Sequence, residues 1–379
     1  MSLPARGFGD FGGRAWFNAA HQGPLPRVAA RALIDQLEAK LQPASIADED
    51  FARVPERLRD RVARLIGASA DEIVLGNSTS YGLHLVANGL RWAPGDEVVV
   101  VEGDFPATIL PWLGLERTGV VVRRLKCPGG RLTPDLLEES LSPATRVVAV
   151  SWVNSFTGAT IDAASIGRVC RGHDVWFVLN ATQAVGARPL DVGELPVDAV
   201  VTCGFKWLCG PYGTGFAWLR RALLDTLDLN HSYWLARQTE PGLDFGQADR
   251  DAAERPEGGR RYDVFGTANF FNFVPWTAAL DYLLELGVER IAAHDQALVQ
   301  AIVDSLSPDY ELVSPRSGPD RSTLVMIEHR NGDRSEAVAR ALHQAGVDVA
   351  VRAGRIRLSP HLYNSESQVE QAIEVLANA

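Results

Sequence analysis

Cysteine is scarce in this chain and never grouped. The four cysteines among 379 residues, Cys127, Cys170, Cys203 and Cys209, form no CxxC pair and match no histidine spacing, which argues against a structural zinc site and against a disulfide framework. Runs of lysine or arginine are missing as well, and the formal net charge is -10. A polyanion needs a basic face, so nucleic acid and anionic membrane are poor partners. Residues 1–13 hold no apolar core of signal-peptide length, and no apolar run approaches the length that spans a bilayer. The expectation is a soluble, cytoplasmic protein acting on small molecules. With 46% hydrophobic residues it can bury a large core, and its length suits two domains.

Against that background one lysine stands out. The apolar run 200–203 reads as a buried strand, and Lys206 follows it between Phe205 and Trp207, ahead of a glycine-rich turn ending at Gly215. Lysine is rarely buried without a partner, because desolvation penalises the ammonium and pushes its pKa down. A neutral amine in an apolar pocket is the form that makes a Schiff base with an aldehyde. Taken alone, the same residue reads equally well as a lysine that snorkels to solvent from a strand end.

In chain order, 16–26 is an extended entry, followed by an amphipathic helix over 27–41 and a second over 55–66. Residues 72–85 read as a short strand, a polar turn through Ser78, Thr79 and Ser80, and an apolar helix. Such a helix start offers free N–H groups to a phosphate, although the same residues make an ordinary N-cap. Strands follow at 97–102, 120–125, 146–151, 175–179 and 199–202, with helix-length segments between most of them, the pattern of a parallel sheet covered on both faces. Ligands in such sheets sit beyond the carboxyl ends of the strands. That rule singles out Phe105, Asn154, Ser155, and the runs 180–183 and 203–206. The stretch 230–261 is a long excursion, either a tolerated insertion or an active-site flap. Helical periodicity over 275–306 leads into a smaller α+β unit.

Four motifs in this order, NATQAVG from Asn180, KWLCGPYGTG from Lys206, FGTAN from Phe265 and RLSPHLYN from Arg357, resemble the class V aminotransferase family of pyridoxal-phosphate enzymes. That family includes cysteine desulfurases, kynureninase and isopenicillin-N-epimerase-like proteins, and the resemblance covers nearly the whole chain. It implies an α/β architecture, the PLP-dependent transferase fold type I: an extended segment at 1–30, a large cofactor domain at 31–270 on a mainly parallel seven-stranded sheet, and a smaller C-terminal α+β domain at 271–379. By position it implies that Lys206 forms the Schiff base with pyridoxal 5'-phosphate and then carries protons at the substrate's α carbon. Ser78, Thr79 and Ser80 would hold the cofactor phosphate, with Cys203 at the same end. Phe105 and Thr182 would pack the two ring faces, and Gln183 with Asn154 or Ser155 would meet the ring hydroxyl. Asn180 would face the ring nitrogen, and Arg357 would clamp the carboxylate of an amino-acid substrate. Gly266 and Thr267 would reach the phosphate of a neighbouring subunit, which implies a homodimer with shared sites. No metal is implied.

Three departures from the family pattern shape the functional expectation. Most relatives place aspartate where Asn180 stands, and a carboxylate keeps the ring nitrogen protonated. Cys203 and Phe205 replace the serine and histidine that desulfurases set on the phosphate. The segment 347–355 lacks the nucleophilic cysteine that desulfurases carry before the final arginine strand. Lyase or β-elimination chemistry, or an atypical aminotransferase reaction, therefore leads, with a specialised biosynthetic role by family analogy. Conventional transamination, epimerisation, and a cofactor-binding protein with little catalysis stay open. A nucleotide loop at 210–215 is disfavoured, since no lysine and hydroxyl pair follows the glycines.

Overall fold

The computed structural model describes residues 7–231, 233, 257–266 and 268–379. Most of the expected excursion lies outside the described residues, as does Thr267. The chain begins with β1 (Ala15–Trp16), α1 (Arg27–Leu41) and α2 (Asp50–Ile66). There follow β2 (Ile73–Gly76), α3 (Thr79–Gly89), β3 (Glu97–Val101), α4 (Pro106–Leu113), β4 (Val121–Leu125) and α5 (Pro134–Ser140). The large unit continues through β5 (Thr145–Ser151), α6 (Ala163–Gly172), β6 (Trp176–Asn180), β7 (Ala199–Cys203), β8 (Gly215–Leu219) and α7 (Arg221–Thr226).

These seven strands, β2 to β8, form one sheet in the order β2-β8-β7-β6-β5-β3-β4. Neighbours from β7 to β4 are parallel, while β8 is antiparallel to both β7 and β2. Only β8 is reversed, so the carboxyl ends of the other six open on one edge. The valine-rich strands are buried on both faces. In β3, Val99 and Val101 enter one core while Val98 and Val100 enter the other, as the two-residue strand period requires. That alternation is why continuous β-branched runs, rather than amphipathic ones, marked these strands.

The sequence reading did not foresee β8, nor the first turn of α2, which starts at Asp50 and carries Pro55 within the helix. The C-terminal part comprises α8 (Phe270–Leu286), α9 (Val288–Asp304), β9 (Tyr310–Leu312) and β10 (Val325–His329). It ends with α10 (Ser335–Gln344), β11 (Val347–Asp348), β12 (Ala350–Arg352), β13 (Arg355–Leu358) and α11 (Glu366–Asn378). A four-stranded antiparallel sheet, β12-β13-β10-β9, backs onto α9, α10 and α11 around a third core. Packing places α8 with the large unit, although 271 was the expected start of the C-terminal domain: Phe273, Trp276 and Leu280 belong to the first core. Conversely, the N-terminal segment is tied to the C-terminal sheet region, with Ala15 opposite Val347 in a parallel pair and Phe17 in the third core. Among the described residues no helix is long and apolar enough to cross a membrane.

Candidate active site

Lys206 lies just past the carboxyl end of β7, on a loop closed at both ends. Gly204 N–H donates to Thr214 O at 2.9 Å, and Cys209 N–H donates to Lys206 O at 3.0 Å. The N-terminal segment crosses this loop at Gly23, whose N–H donates to Phe205 O at 2.8 Å. A Cβ at that position would come within 2.1 Å of the Lys206 carbonyl, so only glycine allows the crossing. Burial pushes the Lys206 ammonium below the ordinary lysine range; nearby Cys203 opposes the shift and the charges of Arg357 and Arg352 add to it. The lysine shares one small cleft with Phe105, Ser155, Asn180, Thr182 and Gln183. Its Nζ stands 5.5 Å from the centroid of the Phe105 ring.

At the other end of the cleft, Ser78 caps α3 and accepts the Tyr81 N–H at 3.2 Å. The first amides of a helix have no intrahelical acceptor, so Thr79 and Ser80 present N–H groups at its positive end. Gly215 makes this possible: a Cβ there would come within 2.9 Å of the Ser78 backbone. Thr79 and Thr182 share a hydroxyl hydrogen bond of 2.7 Å, which joins the helix start to the cleft, and Cys203 lies against Thr79. An anion cradle next to a lysine of lowered pKa is the donor set that an aldehyde-bearing phosphate ester requires, and it fits the cofactor implied by resemblance.

Asn180 is held from both sides. Its Oδ1 accepts the Thr182 N–H at 3.0 Å, and its Nδ2 donates to Thr108 Oγ1 at 2.8 Å. A backbone N–H can only donate, so the amide orientation is fixed. From Thr108 the network continues to Ser151 Oγ at 3.1 Å, and the Ser151 N–H donates to Asp104 at 2.8 Å. Asp104 also accepts the Phe105 N–H at 2.6 Å. Burial pushes the Asp104 carboxyl above its usual range, and the bonds from Ser151 and Phe105 pull it partly back.

The candidates for the ring hydroxyl separate. Ser155 lines the cleft, whereas Asn154 is engaged in building its own turn, accepting from Phe156 and Thr157 and donating to Gly130 O. Gln183 is gripped by Trp207 Nε1, which donates to its Oε1 at 2.8 Å, and donates to Ala20 O at 3.0 Å. Trp112, at the end of α4, is fully buried in the second core and does not line the cleft. Gly266 is exposed and accepts no role in this cleft; its N–H takes the Tyr233 hydroxyl as acceptor at 2.8 Å. Thr267 lies outside the described residues.

Arg357 is 3% exposed, and its Nε has no hydrogen-bond partner. Burial, with help from Arg352, pushes its pKa down to about 10. Sequence reasoning missed Arg352, Thr108, Asp104 and the pair behind the lysine loop, in which His361 bonds Asp295 at 2.7 Å and the Trp207 carbonyl at 3.0 Å. Burial would lower that histidine, but Asp295 and Cys209 together push it up to about 10.

Comparison with known proteins agrees with this geometry. A family model for aminotransferase class-V matches residues 41–372. A probable cysteine desulfurase of Methanothermobacter thermautotrophicus is 27% identical over 95% of this chain and 93% of its own length. Another from Aeropyrum pernix is 30% identical over 86% of this chain and 84% of its own length. A solved structure of the cystine C–S lyase C-DES with cysteine persulfide covers 97% of this chain and 99% of its own, with a TM-score of 0.85 at 24% identity. The fold is therefore the PLP-dependent fold type I.

Proposed function

The chain belongs to the aminotransferase class-V family of pyridoxal-phosphate-dependent enzymes, and from that premise we propose that it is a cytoplasmic lyase expelling a substituent from the β carbon of an amino acid. When bound, pyridoxal 5'-phosphate supplies an aldehyde for a Schiff base and a conjugated ring that draws electrons from the α carbon. The remaining work falls to the chain. Ser78, Thr79 and Ser80 hold the phosphate beside Cys203, Phe105 and Thr182 confine the ring faces, and Ser155 and Gln183 serve the ring hydroxyl. Gly266 and Thr267 complete the site of a partner in a homodimer. Lys206, whose ammonium is destabilised by burial, takes the proton at the substrate's α carbon. Arg357 orients the substrate by its carboxylate, for which a planar guanidinium is suited.

The observation that carries the reading is Asn180, a neutral amide fixed by Thr108 and Thr182 where a carboxylate would keep the ring nitrogen protonated. A neutral partner leaves the ring a weaker electron acceptor, which handicaps reactions that store electrons on the cofactor. Elimination is handicapped least, because the electrons depart with the β substituent. The β12–β13 hairpin offers that group no thiol acceptor, since β12 joins β13 through Ala353 and Gly354 alone, and burial holds the thiol nearest Lys206, Cys203, above its usual range.

The test is to incubate the holoprotein with a panel of amino acids and identify the products by mass spectrometry. A 2-oxo acid, ammonia and the released substituent, with the cofactor unchanged over many turnovers, are the expected products. Stoichiometric conversion of the cofactor to its amine form would instead establish transamination.

A further inference from the structure

The hairpin register puts several arginines on one face. β12 and β13 pair antiparallel with Ala350 opposite Arg357 and Arg352 opposite Arg355. Opposed residues share a face, and alternate residues on a strand point the same way, so Arg352, Arg355 and Arg357 project together. Arg355 is matched by Glu328 of β10 at 3.2 Å. Arg352 and Arg357 are not matched. Among the described residues no carboxylate lies within ion-pair distance of either, and the guanidinium of Arg352 reaches only the Val351 carbonyl, at 2.8 Å.

Both charges are felt at the same place. They bear on Lys206 and on His21 of the entry segment, and Arg352 bears on Arg357. Arg352 and Arg357 thus act on Lys206 and His21 with no carboxylate set against them, and two guanidiniums so placed repel until anions arrive. Under the reading above, the α-carboxylate of the substrate answers one guanidinium, Arg357. The other is left over. The cofactor phosphate has its own cradle at the start of α3, so it does not account for Arg352.

We infer that the substrate carries a second anionic group on its side chain, a carboxylate or an oxidised sulfur acid, and that Arg352 receives it. The substrate class is then an acidic amino acid, or one whose departing β substituent bears a negative charge. The inference rests on the amino-acid reading of this site and narrows it.

Isosteric pairs provide the test. The holoprotein is titrated with aspartate against asparagine and glutamate against glutamine, following the absorbance of the bound cofactor, and the apoprotein is titrated with pyridoxal phosphate as a control. The acid of at least one pair should bind about tenfold or more tightly than its amide. That ratio should collapse towards one in Arg352→Gln and be partly retained in Arg352→Lys, while Arg357→Gln weakens acid and amide alike. Equal affinities in the unmodified protein, a ratio insensitive to Arg352→Gln, or a loss confined to cofactor affinity would each overturn the second anion while leaving the amino-acid reading intact. No response to any amino acid would overturn both.

Discussion

Two buried arginines in this protein meet opposite surroundings. Arg59 of α2 is 2% exposed and lies between both carboxylate oxygens of Asp263, at 2.6 and 3.3 Å, and the Ile73 carbonyl, with Glu56 at 3.4 Å. Asp263 is closed off in turn by the Leu75 N–H at 2.9 Å. Arg357 is 3% exposed and has no acid within reach among the described residues. The interior admits a guanidinium when the chain brings the counter-ion, because an unmatched buried charge is strongly unfavourable. Arg59 therefore pins the segment around Asp263 to β2, whereas Arg357 is left without an acid among the described residues, as the proposed receptor of a substrate carboxylate would be. The same distinction separates Arg355, which has Glu328, from Arg352, which does not.

The largest expected effect lies on the structural side of that contrast. Arg59→Ala leaves Asp263 buried and unanswered, and should lower unfolding stability by about 3–5 kcal/mol in urea titrations; an unchanged midpoint would break the comparison. Next comes Asn180→Asp, which puts a buried carboxylate in the cleft and removes the donor that Thr108 now receives. The apoprotein should lose about 1–3 kcal/mol, and pyridoxal phosphate should restore more stability to the variant than to the parent. Equal gains on adding cofactor would argue that position 180 does not face the ring nitrogen. The smallest effect is one of pH. Arg352 is one of the cations that push the Lys206 ammonium down, so Arg352→Gln relieves repulsion and lets that pKa rise. The pH midpoint for capture of pyridoxal phosphate by the apoprotein should then move upward, and a downward shift would contradict the placement of Arg352 beside the lysine.

Much of this was legible in the sequence, for identifiable reasons. The parallel strands announced themselves because burial on both faces selects near-continuous valine runs, as in β3 and β5. Lys206, Asn180, Thr182 and Arg357 stood in motifs whose order is itself informative. β8 was not legible, since its Gly-Phe-Ala-Trp-Leu run resembles the tail of the glycine-rich turn and its reversed direction depends on how the loop 204–214 closes. The first turn of α2 was hidden by Pro55, which reads as a helix start. Arg352 was overlooked because its meaning lies in register: only once Ala353 and Gly354 are seen to make the whole turn does it share a face with Arg357. The Asp104, Ser151 and Thr108 chain behind Asn180 joins three separate segments and leaves no local signature.

The most direct test is Arg357→Leu, measured for stability and for ligand binding on the same preparation. An unmatched guanidinium replaced by apolar volume should leave the thermal midpoint unchanged or raise it, while the cofactor absorbance response to amino acids weakens by about a hundredfold or disappears. A stability loss as large as that of Arg59→Ala, with amino-acid binding intact, would show that Arg357 is a structural cation and would contradict the account.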